Sequence, residues 1–309
     1  MKDRTADLAR SITKTGSKQT YYTARLMVDK DLADDFCRAY AYFRWTDDMV
    51  DVPTPVDLYP SKDVSDRSTD ECITFIRRQR TLIDRLYENE SPGELAPEEE
   101  ILAGLINHDR GENSGLQSFI RNMFAIIEFD AHRKGRLIND GELMWYSEHL
   151  AQSVTDGLLY FIGNGHPHSD TEEQYLAAYA AHITHLLRDM LPDIADGFIN
   201  IPVEYLEAHG ISPQDVDNPS YKAWVRGRVE LAREYFREGK RYLDELDVLR
   251  TKIVGYWYCA RFEDVLDAIE NDGYLLRAEY EERPKICTWL KMSWLGFTIT
   301  VRHIIDMFL

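Results

Sequence analysis

The chain is poor in the residues that bend or crosslink a backbone. Its 309 residues include only 17 Gly, 11 Pro and 4 Cys, which excludes collagen-like and low-complexity chains and a disulfide-built scaffold. Cys37, Cys72, Cys259 and Cys287 are scattered, with no C-x-x-C spacing, so free thiols in a reducing cytoplasm are expected. Positive charge is short as well: 36 Lys+Arg stand against 54 Asp+Glu, a formal charge of −18. Such a field repels nucleic acid, so no nucleic-acid partner is expected, and it opposes an anionic lipid surface. No stretch reaches the roughly 18 to 20 apolar residues of a membrane span, and the opening MKDRTADLAR lacks the apolar core of a secretory signal. The tail SWLGFTITVRHIIDMFL comes nearest, but Arg302, His303 and Asp306 interrupt it. It reads as a buried or surface-docking helix that allows at most a weak peripheral membrane contact. Also missing are a P-loop, H-E-x-x-H, a dinucleotide G-x-G-x-x-G and the Glu-x-x-His pairs of a di-iron bundle.

What is present is helical. Hydrophobic residues make up 44% and aromatics 12% of the chain, enough to bury a sizeable core. Short clusters rich in Gly, Pro, Asn and Asp separate segments of helical length, and no period-two run requires a sheet. Helices are predicted over 4–15, 19–51 with a break near Asp29, 68–88, 97–107, 115–135, 139–162, 171–195, 219–246, 248–272 and 284–308. Thr171 followed by Gln174 has capping-box spacing. With no domain-separating linker, the expectation is one all-α domain over 1–309, an antiparallel helical bundle around a central cavity.

Two segments carry chemistry. RAYAYFRWTDDMVD ends in Asp47, Asp48 and Asp51, and HITHLLRDMLPDIADG holds Asp189, Asp193 and Asp196. Asp47/Asp51 and Asp189/Asp193 are each spaced i, i+4 and so share a helix face. Asp3/Asp7, Asp31/Asp35 and Asp66/Asp70 have the same spacing and read as solvated faces. Context separates the chosen pairs: Arg44, Tyr40 and Phe36 continue the first stripe, and His182, His185, Tyr175 and Tyr179 the second. Two such helices facing each other would set a negative rim above an aromatic-lined tunnel. Hard carboxylate oxygens suit Mg²⁺, which keeps several waters and completes its octahedron with substrate phosphates. Arg44 and Arg188 would help neutralise a bound diphosphate, favouring ionisation of a carbon–oxygen bond, while aromatic faces shelter the cation left behind.

At these residues the sequence resembles the squalene/phytoene synthase family of trans-prenyltransferases. YYTARLMVDKDLADDFCRAYAYFRWTDDMVD is similar to the family's opening region with its first aspartate motif, and LLRDMLPDIADGFINIPVEYLEAHGIS to its second. MWYSEHLAQSVTDGLLYFIG and ARFEDVLDAIENDGYLLRA resemble a Tyr-led helix and the C-terminal signature, in the family's order. The resemblance implies the isoprenoid-synthase bundle, Mg²⁺, and allylic prenyl diphosphates of C10 to C20. It assigns metal binding to Asp47, Asp51, Asp189 and Asp193, with Asp48 beside them, diphosphate contact to Arg44, and the reaction centre to Tyr146. Arg188, Tyr40, Phe36, Tyr21, Gln152 and Thr155 complete the expected substrate-facing set.

The departures bear on the acceptor. His182 and His185 stand where the family has Gln and Asn, Gln152 and Thr155 where it has small residues, Phe262 where it has a tyrosine, and Glu279 where it has a basic residue. The histidines admit three roles: a zinc site, a buried satisfied histidine, or a catalytic pocket wall that hydrogen-bonds an acceptor. The leading expectation is a Mg²⁺-dependent prenyltransferase that joins two prenyl diphosphates head to head. The alternatives are one prenyl diphosphate with an aromatic or other small-molecule acceptor, its cyclisation, and a non-catalytic scaffold.

Overall fold

Asp3 opens the first helix, its carboxylate accepting from the backbone N–H groups of Thr5 (3.0 Å) and Ala6 (3.2 Å), which satisfies donors that the first helical turn leaves unpaired. Helix α1 (Arg4–Gly16) buries Ala6, Ala9, Ile12 and Thr13, and Ser17 both ends it and caps α2 (Lys18–Leu26) through Thr20 N. In the computed structural model, residues 3–50, 69–109, 111, 113–165, 171–280 and 285–306 are described. The anticipated break near Asp29 spans Met27–Leu32: the Asp29 amide donates to Phe161 O (2.9 Å) and its carboxylate accepts from Asn164 N (2.7 Å). Both bonds draw the backbone out of the helical ladder. Beyond it runs α3 (Ala33–Val50), buried around most of its circumference.

The remaining helices are α4 (Thr69–Tyr87), α5 (Pro97–His108), α6 (Gly115–Arg133), α7 (Asp140–Ile162), α8 (Glu173–Asp196), α9 (Val203–His209), α10 (Pro219–Glu245), α11 (Leu249–Asn271) and α12 (Lys285–Asp306). The described residues thus form twelve helices and no strand, as the all-α reading expects. Two local expectations need correction. The Thr171/Gln174 capping box does not form: α8 starts from Glu172 with no side-chain cap bond, and Thr171 offers only its backbone carbonyl to Gln174 N. Helix α9 was not anticipated, because seven residues are too few to show a period; Gly210, at φ 59°, closes it. No helix of the described residues is long and apolar enough to cross a membrane.

The chain divides into two compact units, Met1–His132 with Asp156–Asn164, and Arg133–Thr155 with Gly165–Leu309. In the first, α3 packs against α1, α2 and α5. Buried Tyr42 of α3 donates to Gln79 Oε1 (3.1 Å), and Gln79 donates to Glu99 Oε1 (2.7 Å), a polar thread through the apolar core. In the second, α8 packs against α10 and α11, and α12 lies on α11. Gly239 of α10 makes the α8 contact possible, since a Cβ there would stand 2.5 Å from Ala177 N.

Candidate active site

In the first unit the thread from Tyr42 to Glu99 fixes α3, and one turn later its C-terminal end carries the acidic motif. Arg44 and Asp48, one turn apart, form a forked pair: Nη2 to Oδ1 is 2.7 Å and Nε to Oδ2 is 3.2 Å. Asp48 is buried and Asp47 exposed, so the adjacent carboxylates point into different environments. Asp51, and the 52–63 segment after it, lie outside the described residues. Back along α3, Tyr40 is half-buried, and burial raises its phenol pKa above the ordinary value, with Arg44 opposing. Phe36 stacks edge-on against Phe161 (5.2 Å), which continues to Phe119 (6.3 Å) and Phe43 (5.2 Å from Phe119). These four rings form a contiguous aromatic belt beside this helix. Tyr21, on α2, packs edge-on with Tyr22, and the Lys14 ammonium lies 5.8 Å from its ring centroid.

In the second unit, α8 carries both histidines and the second aspartate pair. Pro192 sits in its last turns and has no N–H to contribute to the helical ladder. Gly197, at φ 91°, then ends the helix in the left-handed region. Asp189 is gripped from two sides, by His185 Nε2 (2.8 Å) and by the Arg188 fork (2.7 and 2.5 Å). Burial opposes its charge, but these hydrogen bonds prevail and hold the carboxyl well below the ordinary range. Asp193 behaves in the opposite way: burial and then the charge on Asp189 push it up to about 6, although His185, Arg133 and an Asn200 hydrogen bond work against the rise.

That hydrogen bond ends a chain that the sequence does not reveal. Buried Arg133 donates to Asn200 Oδ1 (2.7 Å), and Asn200 Nδ2 donates to Asp193 Oδ2 (2.8 Å). The same guanidinium lies over Tyr146 (4.8 Å) and Phe198 (5.1 Å), a cation–π sandwich that steadies the Tyr146 ring. Tyr146 in turn meets His182 edge-on at 4.9 Å. His182 and His185, predicted on one stripe, therefore separate: His185 is exposed and bonded to Asp189, whereas His182 is buried with Nδ1 lacking any partner. Burial, then the positive charges of His185, Arg133 and Arg228, push His182 well below the ordinary histidine value, so it is a neutral ring. Phe262 lies 6.5 Å from the His185 ring. Thr155 is buried and its hydroxyl points at Gln174 O (3.5 Å), so its polarity is turned towards the first turn of α8; Gln152 is half-buried on α7. Glu279 is exposed.

The donor set fits Mg²⁺. At the end of α8 two half-buried carboxylates share a face, and their repulsion is what a divalent cation would relieve. Among the described residues no three His, Cys, Asp or Glu side chains cluster as a ready-made metal cage. An ion held by one or two carboxylates, with waters and phosphate oxygens as its other ligands, is the Mg²⁺ pattern rather than that of structural zinc.

Comparison with known proteins gives these features a context. The model of the squalene/phytoene synthase family matches residues 14–289. The 15-cis-phytoene synthase of Synechocystis sp. is 25% identical, over 94% of this chain and 84% of its own length. The chloroplastic phytoene synthase of an Oncidium hybrid cultivar is 24% identical over 83% of this chain, which spans 59% of that longer protein. Among solved structures, the squalene synthase HpnC from Alicyclobacillus acidocaldarius superposes with a TM-score of 0.66 at 19% identity, covering 88% of this chain and 95% of that one. TcSQS in complex with the ligand BPH1237 superposes at 0.65 and 14% identity, covering 97% of this chain and 92% of that one. These two likenesses are of fold: the twelve helices adopt the squalene synthase-type isoprenoid-synthase architecture.

Proposed function

Because the chain belongs to the squalene/phytoene synthase family of prenyltransferases, we propose that it ionises an allylic prenyl diphosphate (C10 to C20) and joins two such units head to head, giving a phytoene- or squalene-type product by way of a cyclopropyl diphosphate. The observation that carries this reading is that the family match from residue 14 to residue 289 takes in both acidic helix ends. Asp47 and Asp51 at one end, and Asp189 and Asp193 at the other, would hold Mg²⁺. Bound there, the metal supplies positive charge that stabilises the departing diphosphate.

The other steps belong to side chains of the protein. Arg44 and Arg188 bind diphosphate oxygens, and each is kept extended by the carboxylate it already holds, Asp48 or Asp189. Phe36, Tyr40 and Tyr21 offer aromatic faces to the prenyl chain and exclude water from the cation. Tyr146, clamped by Arg133, faces the reacting carbons with a ring that cannot swing. His182, kept neutral by burial, adds no second positive charge beside a carbocation. Among the described residues, Cys37, Cys72 and Cys259 are buried free thiols, which suit the reducing cytoplasm as the protein's place of action.

The test is diphosphate release by the purified protein with Mg²⁺ and each of the C10, C15 and C20 allylic diphosphates, with mass analysis of the organic extract. A C30 or C40 hydrocarbon, or its cyclopropyl diphosphate precursor, is the expected product. No release from any of them, together with no binding of prenyl diphosphate, overturns the reading. One observation favours a second reading, in which a single prenyl diphosphate meets an aromatic acceptor or cyclises: the unpartnered Nδ1 of His182 beside Tyr146 leaves a hydrogen-bonding group for a polar acceptor. Stoichiometry separates the two, since head-to-head condensation consumes two prenyl diphosphates per product and the alternative consumes one.

A further inference from the structure

Helix α12 has two unlike faces. On one, Trp257 of α11 donates its indole N–H to Met292 O (2.8 Å), its ring lies against Gly296, Lys291 is paired with Asp264, and Ile299 is buried. On the other, Leu290, Trp294, Phe297, Val301 and Ile304 are exposed, Trp294 at 68% and Phe297 at 59%, with the two aromatic rings 5.8 Å apart. Their spacing runs four, three, four, three residues, the repeat that places a continuous apolar seam along one side of a helix for a facing helix to fill. Ile305 widens the seam at its end. Isolated exposed apolar residues need no explanation, whereas a contiguous stripe capped by two large aromatics marks an interaction site.

We propose that this seam is a self-association surface, on which α12 pairs with the same helix of a second copy of the chain about a two-fold axis. Three observations select that occupant. The heptad spacing is self-complementary: it offers knobs and accepts them, so one surface serves both partners. The charge fits as well, because from Leu290 to Ile305 there is no Asp or Glu in a chain whose net charge is −18. The seam is flanked by the hydroxyl residues Ser293, Thr298 and Thr300, and two copies meeting there bring no carboxylates of this stretch together. The area is sufficient: the exposed side chains offer on the order of 600 Å² per copy, so a symmetric pair would bury about 1,200 Å², the lower bound of a stable interface. An anionic membrane is the poorer match, since such surfaces are read by clusters of about four to eight basic residues. Here the basic residues between 290 and 305 are Lys291, already paired, Arg302 and His303, short of such a cluster.

Sedimentation velocity of the full chain over a wide concentration range, without detergent, tests the proposal. A species of twice the 36.0 kDa chain mass is expected at high concentration. The Trp294→Glu/Phe297→Glu variant is expected to weaken association by roughly 100-fold or more, as like charges replace two central anchors. Val301→Glu, a smaller change one turn further on, should weaken it in the same direction, and far-ultraviolet circular dichroism should show unchanged helix content in both. A wild-type chain that stays monomeric throughout, or a dimer indifferent to both variants, overturns the proposal. So does a monomer that floats with neutral phosphatidylcholine vesicles, which would assign the seam to lipid.

Discussion

The acidic ends of α3 and α8 compensate their described carboxylates in different ways. At the end of α3, Arg44 lies one turn before buried Asp48 and neutralises it through a forked pair. Asp47 beside it is exposed. At the end of α8 the compensation is uneven: His185 and Arg188 both serve Asp189, while Asp193 accepts from a neutral amide, Asn200. Asp189 is therefore held low and Asp193 is raised to about 6. Buried Asp48 is thus paired with a cation, whereas Asp193 keeps a repulsion from its neighbour Asp189. The α8 end stands to gain more from a divalent cation, because the cation removes a repulsion that the protein has left in place.

The largest effect should follow from removing a proposed metal ligand at either end. Asp47→Asn and Asp189→Asn are each expected to lower diphosphate release by on the order of 1,000-fold while preserving helix content, since each removes charge that positions the leaving group. Wild-type turnover in either variant would break the comparison at that end. Stability should separate the ends next. Arg133→Met removes a buried cation from between two aromatic rings and leaves Asn200 Oδ1 without its donor, an expected loss of about 3 kcal/mol in urea unfolding. Arg44→Met removes an exposed partner, and about 1 kcal/mol is expected. Equal losses would mean that the two ends are anchored alike.

These two arginines also mark the limit of what can be read from the chain alone. Arg44 was legible because its partners lie within one turn, where helical periodicity converts sequence spacing into distance. The same logic exposed the Asp189/Asp193 pair and the Phe36 stripe. Arg133 sits 67 residues from Asn200, in a basic run that looks like an ordinary helix end, and no local pattern joins them. His182 and His185 show a subtler failure. Their spacing places both on one side of α8, yet one is sealed against Tyr146 and the other reaches Asp189 from an exposed position, because burial depends on the neighbouring helices rather than on α8. The Thr171 capping box failed because Thr171 lies one residue before the N-cap, which puts Gln174 at the second rather than the third helical position.

The smallest effect is a pH dependence that originates at His182 on α8. His182 is buried and faces His185, Arg133, Arg228 and the Tyr146 ring, so the folded protein resists its protonation while the unfolded chain accepts a proton near the ordinary value of 6.5. A histidine whose folded value is depressed contributes stability that is complete above the unfolded value and is lost as pH falls through it. Between pH 7 and pH 5.5 that loss is about 1 kcal/mol. Asp193 acts in the opposite sense over the same range: its raised carboxyl takes up a proton in the folded state first, so acidification relieves its repulsion with Asp189. The wild-type curve therefore mixes two trends, and the informative quantity is the difference between wild type and His182→Gln in metal-free urea titrations at pH 7.5, 6.5 and 5.5. His182→Gln should lose less stability on acidification than wild type. Parallel curves would mean that His182 takes up its proton equally well in the folded and unfolded chains, and would remove the neutral ring from beside Tyr146.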